Sequence, residues 1–204
     1  MKLIYGTHNP SKLTGMIKAV SGLPLEIVDI KDIDLEIHEA EESGNEPLEN
    51  AIQKSQAYYK QIKKPVFSCD SGLYFEGVSD EDQPGVHARR VDGKRLNDDE
   101  MRAYYQTLAK KYGGKLTAYY KNAICLTLDH ETMISYDGET IHSEKFYIIE
   151  RAHKKRVQGF PLDSLSVEID SGQYYFDIDD EQLKIDKISG GFRDFFIKSM
   201  NLKV

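Results

Sequence analysis

Three short stretches of this chain carry acids, bases and small residues in patterns that could perform chemistry. The first is GTHNPSKL, which contains Thr7, His8, Asn9 and Lys12. If Asn9 caps a helix with Pro10 at its first position, backbone N–H groups and Lys12 would form an anion site there. An ordinary capped helix explains the same residues, and the spacing is not that of a P-loop.

The second stretch is ESGNEPLENAIQKSQ, where Glu49, Asn50 and Lys54 stand among the apolar positions of a predicted helix. Glu49 and Lys54 are five residues apart, so they do not form the i,i+4 pair that is typical of helix surfaces. Such a helix could present an acid and a base to a ligand. The alternative interpretation is a set of solvated helix charges.

The third stretch is SCDSGLYF, in which Asp70 is followed by Ser71 and Gly72 between two apolar runs. Because Asp, Ser and Gly are turn-forming residues, the sequence predicts a turn here that separates two strands. A carboxylate at a strand end is also a common ligand for Mg²⁺, which prefers oxygen ligands together with substrate phosphates. These residues alone leave both interpretations open.

The composition narrows the classes of function. The 204 residues carry 27 Lys and Arg against 34 Asp and Glu, a formal charge of −7 that argues against a nucleic-acid partner. There is neither a signal-peptide core nor an apolar run near the ~18 residues of a membrane span, so no membrane partner is expected. Cys69 and Cys125 are predicted to be buried thiols, which indicates a reducing, cytoplasmic location.

The elements that would position these residues alternate between helices and strands. Start and stop signals, including Asn97 and Glu100 as a capping box, predict four helices. The predicted helices run from Pro10 towards Gly22 and over residues 46–64, 97–114 and about 192–201. Strands are predicted at residues 2–6, 25–30, 65–69, 73–77, 115–129, 132–136 and 139–150, with Asp137–Gly138 as a hairpin turn. The pattern predicts an α/β protein with a mixed sheet flanked by helices, one domain of two lobes over residues 1–204.

Four blocks of the sequence resemble, in order, the motifs of the inosine triphosphate pyrophosphatase family. GTHNPSKL resembles its Thr-Gly-Asn-x-x-Lys motif, and SGNEPLENAIQKSQAY is similar to its Thr/Ser-Gly-x-x-x-x-Glu-Asn-Ala-x-x-Lys-Ala helix. SCDSGLYFEGV is similar to its Asp-Asp-Ser-Gly-Leu segment, and QPGVHARRVDG to its Pro-Gly-Val-x-x-x-Arg-x-x-Gly loop. His8 replaces a glycine of the family, and Cys69 replaces an aspartate. The blocks cover residues 6–93, and the resemblance weakens beyond them.

The resemblance implies a hydrolase with an elongated α/β fold, a cleft between two lobes and a homodimeric assembly. It would cleave non-standard purine nucleoside triphosphates, of the ITP, XTP and dITP type, to the monophosphate and pyrophosphate with Mg²⁺ as cofactor. Asp70 would be the general base or metal-holding acid, and Glu49 a second metal ligand. The other residues that the resemblance implies to contact the substrate in this half are Thr7, His8, Asn9, Lys12, Lys54, Ser71 and Arg90.

The last third of the chain departs from the family's pattern. The loop Gly-Phe-Gly-aromatic-Asp-Pro becomes GFPLDS, which keeps Phe160 and Asp163, and the motif Ser-His-Arg becomes Ser189 followed by two glycines. The resemblance implies that these three residues contact the substrate. Because no side chain replaces the family's His and Arg, we expect weaker or redirected discrimination between bases. The alternative is that Arg193 or a residue of Lys154–Arg156 replaces the missing pair.

Parts of the sequence also fit two other classes of function. A nucleotide-binding or regulatory protein of the same fold could keep the site and lack turnover, and pyrophosphate release with Mg²⁺ would separate it from an enzyme. A cysteine-based phosphatase that uses Cys69 would need an arginine six residues later, where the chain has Phe75. The sequence therefore disfavours the phosphatase.

Overall fold

The computed structural model describes residues 1–179 and 187–203. Over these ranges the chain forms nine β-strands and four α-helices. In chain order they are β1 (Lys2–Tyr5), α1 (Pro10–Ala19), β2 (Glu26–Asp29), α2 (Pro47–Ile62), β3 (Val66–Phe75), β4 (Arg90–Val91), β5 (Lys94–Arg95), α3 (Asp98–Lys111), β6 (Lys115–Thr127), β7 (Met133–Tyr136), β8 (Phe146–Ile149), β9 (Ser166–Val167) and α4 (Lys187–Ser199). Among the helices of the described ranges, none is long and apolar enough to cross a membrane.

Seven strands form one mixed sheet, in the order β2-β1-β3-β6-β8-β9 with β7 paired to another part of β6. β1 runs parallel to β2 and β3, whereas β6 runs antiparallel to β7 and β8. Helices pack on these strands, with α1 against β2, α2 against β7 and α3 against β8. The predicted α/β class, a mixed sheet flanked by helices, is confirmed.

The described chain divides into two compact units, each with an apolar core. The first unit comprises residues 1–71, 121–142 and 187–203, and the second comprises residues 72–120 and 143–179. In the first core, Tyr5 stacks on Phe67 with ring centroids 4.4 Å apart, and Phe67 also meets Phe196 edge-on. In the second core, Phe75 and Tyr105 pack edge-to-face. Burial of these large aromatic side chains stabilises each unit.

Two helix starts follow the predicted capping. In α1 the Asn9 side chain accepts hydrogen bonds from two backbone N–H groups of the first turn, and Pro10 takes the first helical position. In α3, Asn97 and Glu100 form the predicted capping box. α1 ends at Ala19, shortly before the predicted glycine stop. Local capping signals therefore fix where these helices begin.

The predicted turn at residues 70–72 is wrong, because β3 continues through it without interruption. Gly72 serves close packing instead of a turn. A Cβ at this position would lie 2.7 Å from the ring of Tyr74 and 3.2 Å from the backbone of Gly85. Asp70 consequently lies in the middle of a strand rather than at its end.

The predicted hairpin around Asp137–Gly138 is also wrong. β7 pairs with residues 124–127 of β6, and β8 pairs with residues 115–118, so these two strands join different parts of β6 rather than each other. Gly138 has a φ of −74°, whereas the two-residue turns that Asp-Gly favours need a positive φ. The residues that follow, Glu139–Ile141, form a 3₁₀ turn.

Candidate active site

Five polar side chains of the first unit form one network of hydrogen bonds and charges. We call them the Asp70 cluster, and they are Asp70 on β3, Asn50 and Lys54 on α2, Lys12 on α1, and Glu42 from the segment before α2. Asn50 and Lys54 are one helical turn apart, so both reach the same strand. Asp70, Asn50 and Lys54 are only 8%, 3% and 8% exposed, which strengthens the electrostatic interactions among them.

Both oxygens of the Asp70 carboxylate accept hydrogen bonds from side chains on α2. Oδ1 accepts from the Lys54 ammonium at 3.0 Å, and Oδ2 accepts from the Asn50 Nδ2 at 3.0 Å. Asn50 is held in turn, because its Oδ1 accepts from the backbone N–H of Gly44 at 2.9 Å. Each carboxylate oxygen has two lone pairs, so the carboxylate keeps capacity to accept from a water or to bind a cation.

Lys54 lies between two carboxylates. Its ammonium is 3.0 Å from Asp70 Oδ1 and 2.8 Å from Glu42 Oε1. Burial by itself would lower the pKa of Lys54, but the two carboxylates outweigh it and raise that pKa above its ordinary value. Lys54 is therefore a fixed positive charge at a site with little water.

Lys12 adds a second cation to the cluster. It lies in the first turn of α1, where burial and the charge of Lys54 lower its pKa against the opposing effect of Asp70. Within the described residues its ammonium forms no ion pair. Two neighbouring ammonium groups, one of them without a carboxylate partner, favour the binding of an anion.

The N-terminus of α1 is capped by the chain itself. Asn9 Oδ1 accepts from the N–H groups of Ser11 at 2.9 Å and Lys12 at 3.3 Å. Thr7 Oγ1 accepts from the Asn9 N–H at 3.2 Å, and His8 is exposed. Some of the N–H groups that were predicted to face an anion are therefore used by the Asn9 cap.

Glu49 and Asp70 are the two acids that were predicted to hold a magnesium ion. Glu49 is exposed, and its Oε2 accepts from the Asn45 N–H at 2.8 Å. A Cβ on Gly44 would lie 3.1 Å from that oxygen and 2.8 Å from Asn50 Oδ1, so the Glu49 carboxylate lies against the backbone that also holds Asn50. Across the described part of the chain, no three His, Cys, Asp or Glu side chains form a ready metal site. Mg²⁺ commonly takes one or two carboxylates with waters and substrate phosphates, a need that two acids can meet.

Ser71 and Arg90 do not belong to the Asp70 cluster. Successive strand residues point to opposite faces of a sheet, so Ser71 faces away from the side that carries Asp70. Arg90 is an exposed residue of β4 in the second unit. Their contacts with a substrate stay predictions.

A closed ring of hydrogen bonds in the second unit holds the peptide of Gly159. Arg89 Nη1 lies 2.7 Å from Asp98 Oδ1, and Arg89 Nη2 donates to the Gly159 carbonyl at 3.1 Å. The Gly159 N–H donates to Asp98 Oδ2 at 2.7 Å. The Arg89 guanidinium and this N–H hold the pKa of Asp98 below its ordinary value. We call Arg89, Asp98 and Gly159 the Gly159 clamp, and it fixes the backbone just before Phe160.

Asp163 follows the clamp on a 3₁₀ turn. Burial raises the pKa of its carboxyl group, and this carboxyl accepts no hydrogen bond from the described residues. The negative charge of Asp163 in turn raises the pKa of Tyr120, after the larger effect of burial. Phe160, which directly follows Gly159, is half-buried. Two of the three residues predicted to contact the base therefore follow a backbone that the clamp holds, and the Asp163 carboxylate can still accept a hydrogen bond.

Gly190 and Gly191, which stand where the family has His and Arg, differ from each other in their surroundings. Ser189 and both glycines lie at the start of α4, which begins earlier than the predicted residue 192. A Cβ on Gly191 would lie 2.1 Å from the Thr140 carbonyl oxygen, so α4 can pack here only with glycine. A Cβ on Gly190 would have nothing of the described chain within 4 Å. Packing therefore explains the glycine at 191 and not the one at 190.

Three of the four basic residues that could replace the missing pair donate to backbone carbonyl groups. Arg193 Nη1 donates to the Ser21 carbonyl at 2.6 Å, and Lys155 Nζ donates to the Phe176 carbonyl at 2.8 Å. Arg156 donates to carbonyls of its own loop. A role in reading a base would require each of them to exchange these bonds.

Cys69 is a buried, free thiol beside Asp70 in sequence. Burial raises its pKa to about 11, despite a hydrogen bond with Tyr5 and the nearby charge of Lys12. The nucleophile of a cysteine phosphatase is a thiolate with a lowered pKa, which is the opposite situation. The structure therefore also disfavours a cysteine-based phosphatase.

Comparison with known proteins gives one family. A family model described as the Ham1 family matches residues 3–154. The chain is 33% identical over 140 residues to the dITP/XTP pyrophosphatase of Caldanaerobacter subterraneus subsp. tengcongensis, which covers 68% of each chain. It is 32% identical over 147 residues to the dITP/XTP pyrophosphatase of Leptospira interrogans serovar Lai, covering 71% of this chain and 72% of that protein.

Solved structures show the same fold. A HAM1 protein from Coxiella burnetii superposes with a TM-score of 0.76 at 19% identity, covering 98% of this chain and 99% of that chain. The Ham1 protein of Staphylococcus aureus gives a TM-score of 0.70 at 19% identity and covers 98% of both chains. These similarities extend beyond residue 154 and include the part of the chain whose motifs have diverged.

Proposed function

The chain belongs to the Ham1 family, and we propose that it hydrolyses non-standard purine nucleoside triphosphates of the ITP, XTP and dITP type to the monophosphate and pyrophosphate. The Asp70 cluster carries this proposal, because a buried carboxylate lies there with two lysines at positions that match the motifs of the family. The relatives named dITP/XTP pyrophosphatases support the same class of substrate. The biological role would be the removal of such nucleotides from the nucleotide pool.

Lys12 and Lys54 would bind the triphosphate. A triphosphate carries about −4 at neutral pH, and cations fixed in a water-poor site interact with it far more strongly than exposed ones. The phosphates would also contact Thr7, His8 and Asn9 at the start of α1. Glu42 competes with the ligand, because its carboxylate already lies 2.8 Å from the Lys54 ammonium.

Asp70 would orient the attacking water and accept its proton. Its two hydrogen bonds, from Lys54 and Asn50, fix the direction of the carboxylate. Glu49 and Asp70 would together hold Mg²⁺, which when bound polarises a phosphate and lowers the pKa of a bound water. The protein's part in the reaction is then to hold the phosphates and to position one base beside them.

Base recognition would rest on Phe160, Asp163 and Ser189. An aromatic ring can stack on any base, so Phe160 contributes affinity with little selectivity. Asp163 can accept from a ring N–H or an amino group through its free carboxylate. We therefore expect discrimination against adenosine triphosphate to be weaker than that of a pocket with more side-chain donors.

A panel of nucleoside triphosphates with Mg²⁺ tests the proposal. Specificity constants for inosine, xanthosine, adenosine, guanosine and uridine triphosphates are measured while both monophosphate and pyrophosphate are quantified. We expect equal amounts of the two products, with inosine or xanthosine triphosphate turned over. Release of inorganic phosphate instead, or no turnover of any triphosphate, would contradict the proposal. A preference for inosine above about 10³-fold over adenosine would show that another residue reads the base, because a pocket without buried polar groups to leave unpaired does not discriminate so strongly.

The diverged stretches favour one second candidate, a nucleotide-binding or regulatory protein without turnover. Its supporting observation is that glycine takes the place of both His and Arg after Ser189. Such a protein would bind triphosphates with Mg²⁺ in calorimetry and release no pyrophosphate. The same panel therefore separates the two candidates.

We also propose a homodimer in the cytoplasm, on the basis of the family resemblance. The two cysteines are buried and unpaired, which suits a reducing compartment. Light scattering after size-exclusion chromatography would give the mass of the assembly. A mass near that of one 23.3 kDa chain at all concentrations would contradict the dimer.

A further inference from the structure

We propose that Asn50 is a positioning residue that sets the orientation of the Asp70 carboxylate, an inference that rests on the proposed function. Asn50 would not touch the substrate. Its buried amide would hydrogen-bond the Gly44 backbone at one end and Asp70 at the other, and would in this way hold the carboxylate in place.

The hydrogen bonds determine which way the Asn50 amide points. The Gly44 N–H can only donate, so it must face the carbonyl oxygen of the amide, at 2.9 Å. The amide nitrogen is then left facing Asp70 Oδ2, at 3.0 Å. At 3% exposure, Asn50 has little access to water that could replace either bond. The amide therefore has one orientation, and it always presents a donor to Asp70.

The backbone at Gly44 is itself closely packed. A Cβ at this position would lie 2.6 Å from Glu49 Cβ and 2.8 Å from Asn50 Oδ1, so only glycine permits this approach. The donor that fixes the amide is thus a backbone N–H held against α2 rather than a mobile side chain. This backbone lies between Glu42 and α2 in the sequence, so the segment that pairs with Lys54 and the amide that orients Asp70 are connected.

Lys54 alone would not fix the carboxylate. Its ammonium bonds Oδ1 and also pairs with Glu42, and a single donor leaves the carboxylate free to rotate about that bond. The second donor, from Asn50 to Oδ2, removes this freedom. Aspartate at position 50 could accept from Gly44 but could not donate to Asp70, and alanine could do neither. The site therefore needs a side chain of this length that both accepts from Gly44 and donates to Asp70, and asparagine is such a side chain.

A double-mutant cycle with Asp70 tests the inference. We measure kcat and KM for inosine triphosphate with Mg²⁺ in the wild type, Asn50→Ala, Asp70→Asn and the double variant, with thermal unfolding of each. Asn50→Ala is expected to lower kcat by about 10- to 100-fold, typical of losing an outer partner of a functional ligand, with KM little changed. In the Asp70→Asn background the same change is expected to cost nothing further.

Asn122 provides a matched control. It is a buried amide of the same unit, 9% exposed, and its Nδ2 donates at 2.6 Å to the Ile141 carbonyl instead of a carboxylate. Asn122→Ala is expected to lower thermal stability and leave kcat of the folded enzyme unchanged. If Asn50→Ala does not fold, Asn50→Leu replaces it, because leucine is similar in volume, lacks the donor and adds no second carboxylate beside Asp70.

The outcomes separate this inference from the proposed function. An active wild type whose kcat is unchanged in Asn50→Ala, or whose double variant loses rate additively, would overturn the role of Asn50 alone. A wild type that turns over no triphosphate would overturn the proposed function and this inference with it. A loss of kcat without a change in KM, absent from the Asp70→Asn background, would support both.

Discussion

The Asp70 cluster and the two stretches expected to contact the base are held in different ways. In the cluster, functional side chains bond to one another, as Asp70 does to Lys54 and Asn50. In the second unit, an ion pair holds the backbone of Gly159, while the Asp163 carboxylate is left without a hydrogen bond from the described residues. At Gly191 the constraint is close packing against Thr140.

The difference indicates which residues of each region can be substituted. Replacing Asp70, Asn50 or Lys54 by a side chain without its polar group leaves a buried partner unsatisfied, which costs roughly 1–3 kcal/mol even before function is considered. The two stretches expected to contact the base have fewer such buried hydrogen bonds between side chains. Their side chains can therefore diverge while the fold is kept, as the combination of altered motifs and a shared fold illustrates.

The largest effect is expected for Asp70→Asn. Loss of a positioned base should cut turnover by roughly 10²- to 10⁴-fold, measured as pyrophosphate release at saturating inosine triphosphate and Mg²⁺. Asparagine keeps the shape of the side chain, and Glu42 still pairs with Lys54, so the fold should persist in circular dichroism. Near-normal turnover in this variant would show that the cluster serves binding only.

Lys12→Ala should mainly weaken binding. One lost charged hydrogen bond to the triphosphate costs about 1.5–3 kcal/mol, or about a 10- to 150-fold rise in KM. Lys18→Ala is the matched control, since Lys18 is an exposed residue of the last turn of the same helix. Equal KM values for both variants would contradict a phosphate-binding role for the start of α1.

Two adjacent glycines test whether packing governs the diverged stretch. Gly191→Ala should destabilise the protein by about 1–3 kcal/mol, because its Cβ would overlap the Thr140 carbonyl oxygen. Gly190→Ala should be neutral or stabilise by up to about 1 kcal/mol, because this exposed helical position has room. Urea unfolding of both variants gives the comparison. If the two variants were equally stable, close packing against Thr140 would not explain the glycine at position 191.

The smallest effect is expected for Glu42→Gln. Its carboxylate is 45% exposed, and a pair of this kind contributes about 0.2–1 kcal/mol, so KM for triphosphates should fall by up to about fivefold as Lys54 is released. Glu41→Gln serves as the control, because Glu41 is exposed and forms no ion pair in the described ranges. A rise in KM instead would mean that Glu42 supports the site rather than competing for it.

The sequence predicted what depends on local chemistry. Capping residues such as Asn9 and the box of Asn97 and Glu100 act within one helical turn, so the starts of α1 and α3 were predicted correctly. The turn at residues 70–72 and the hairpin at Asp137–Gly138 were wrong, because the partners that decide them are distant in sequence. Gly72 was mistaken for a turn former when it is a packing contact.

The composition of the candidate site was predictable only in part. Motif spacing identified Lys12, Lys54 and Asp70, which the structure brings together. It did not reveal that Glu42 pairs with Lys54, because one acid among several in an acidic segment carries no local signal. The Gly159 clamp was missed as well, since Arg89 stands beside the arginine that matches the motif and its partners lie elsewhere in the sequence.

The uninterrupted course of β3 has a consequence for chain length. Side chains alternate between the two faces of a strand, so adding or deleting one residue between Val66 and Asp70 would turn the carboxylate to the opposite face. The residues of the strand that follow the change would be reversed with it. A loop at this point would absorb such an insertion or deletion at small cost. This stretch can therefore vary in residue type, as it does at Cys69, while its number of residues is fixed.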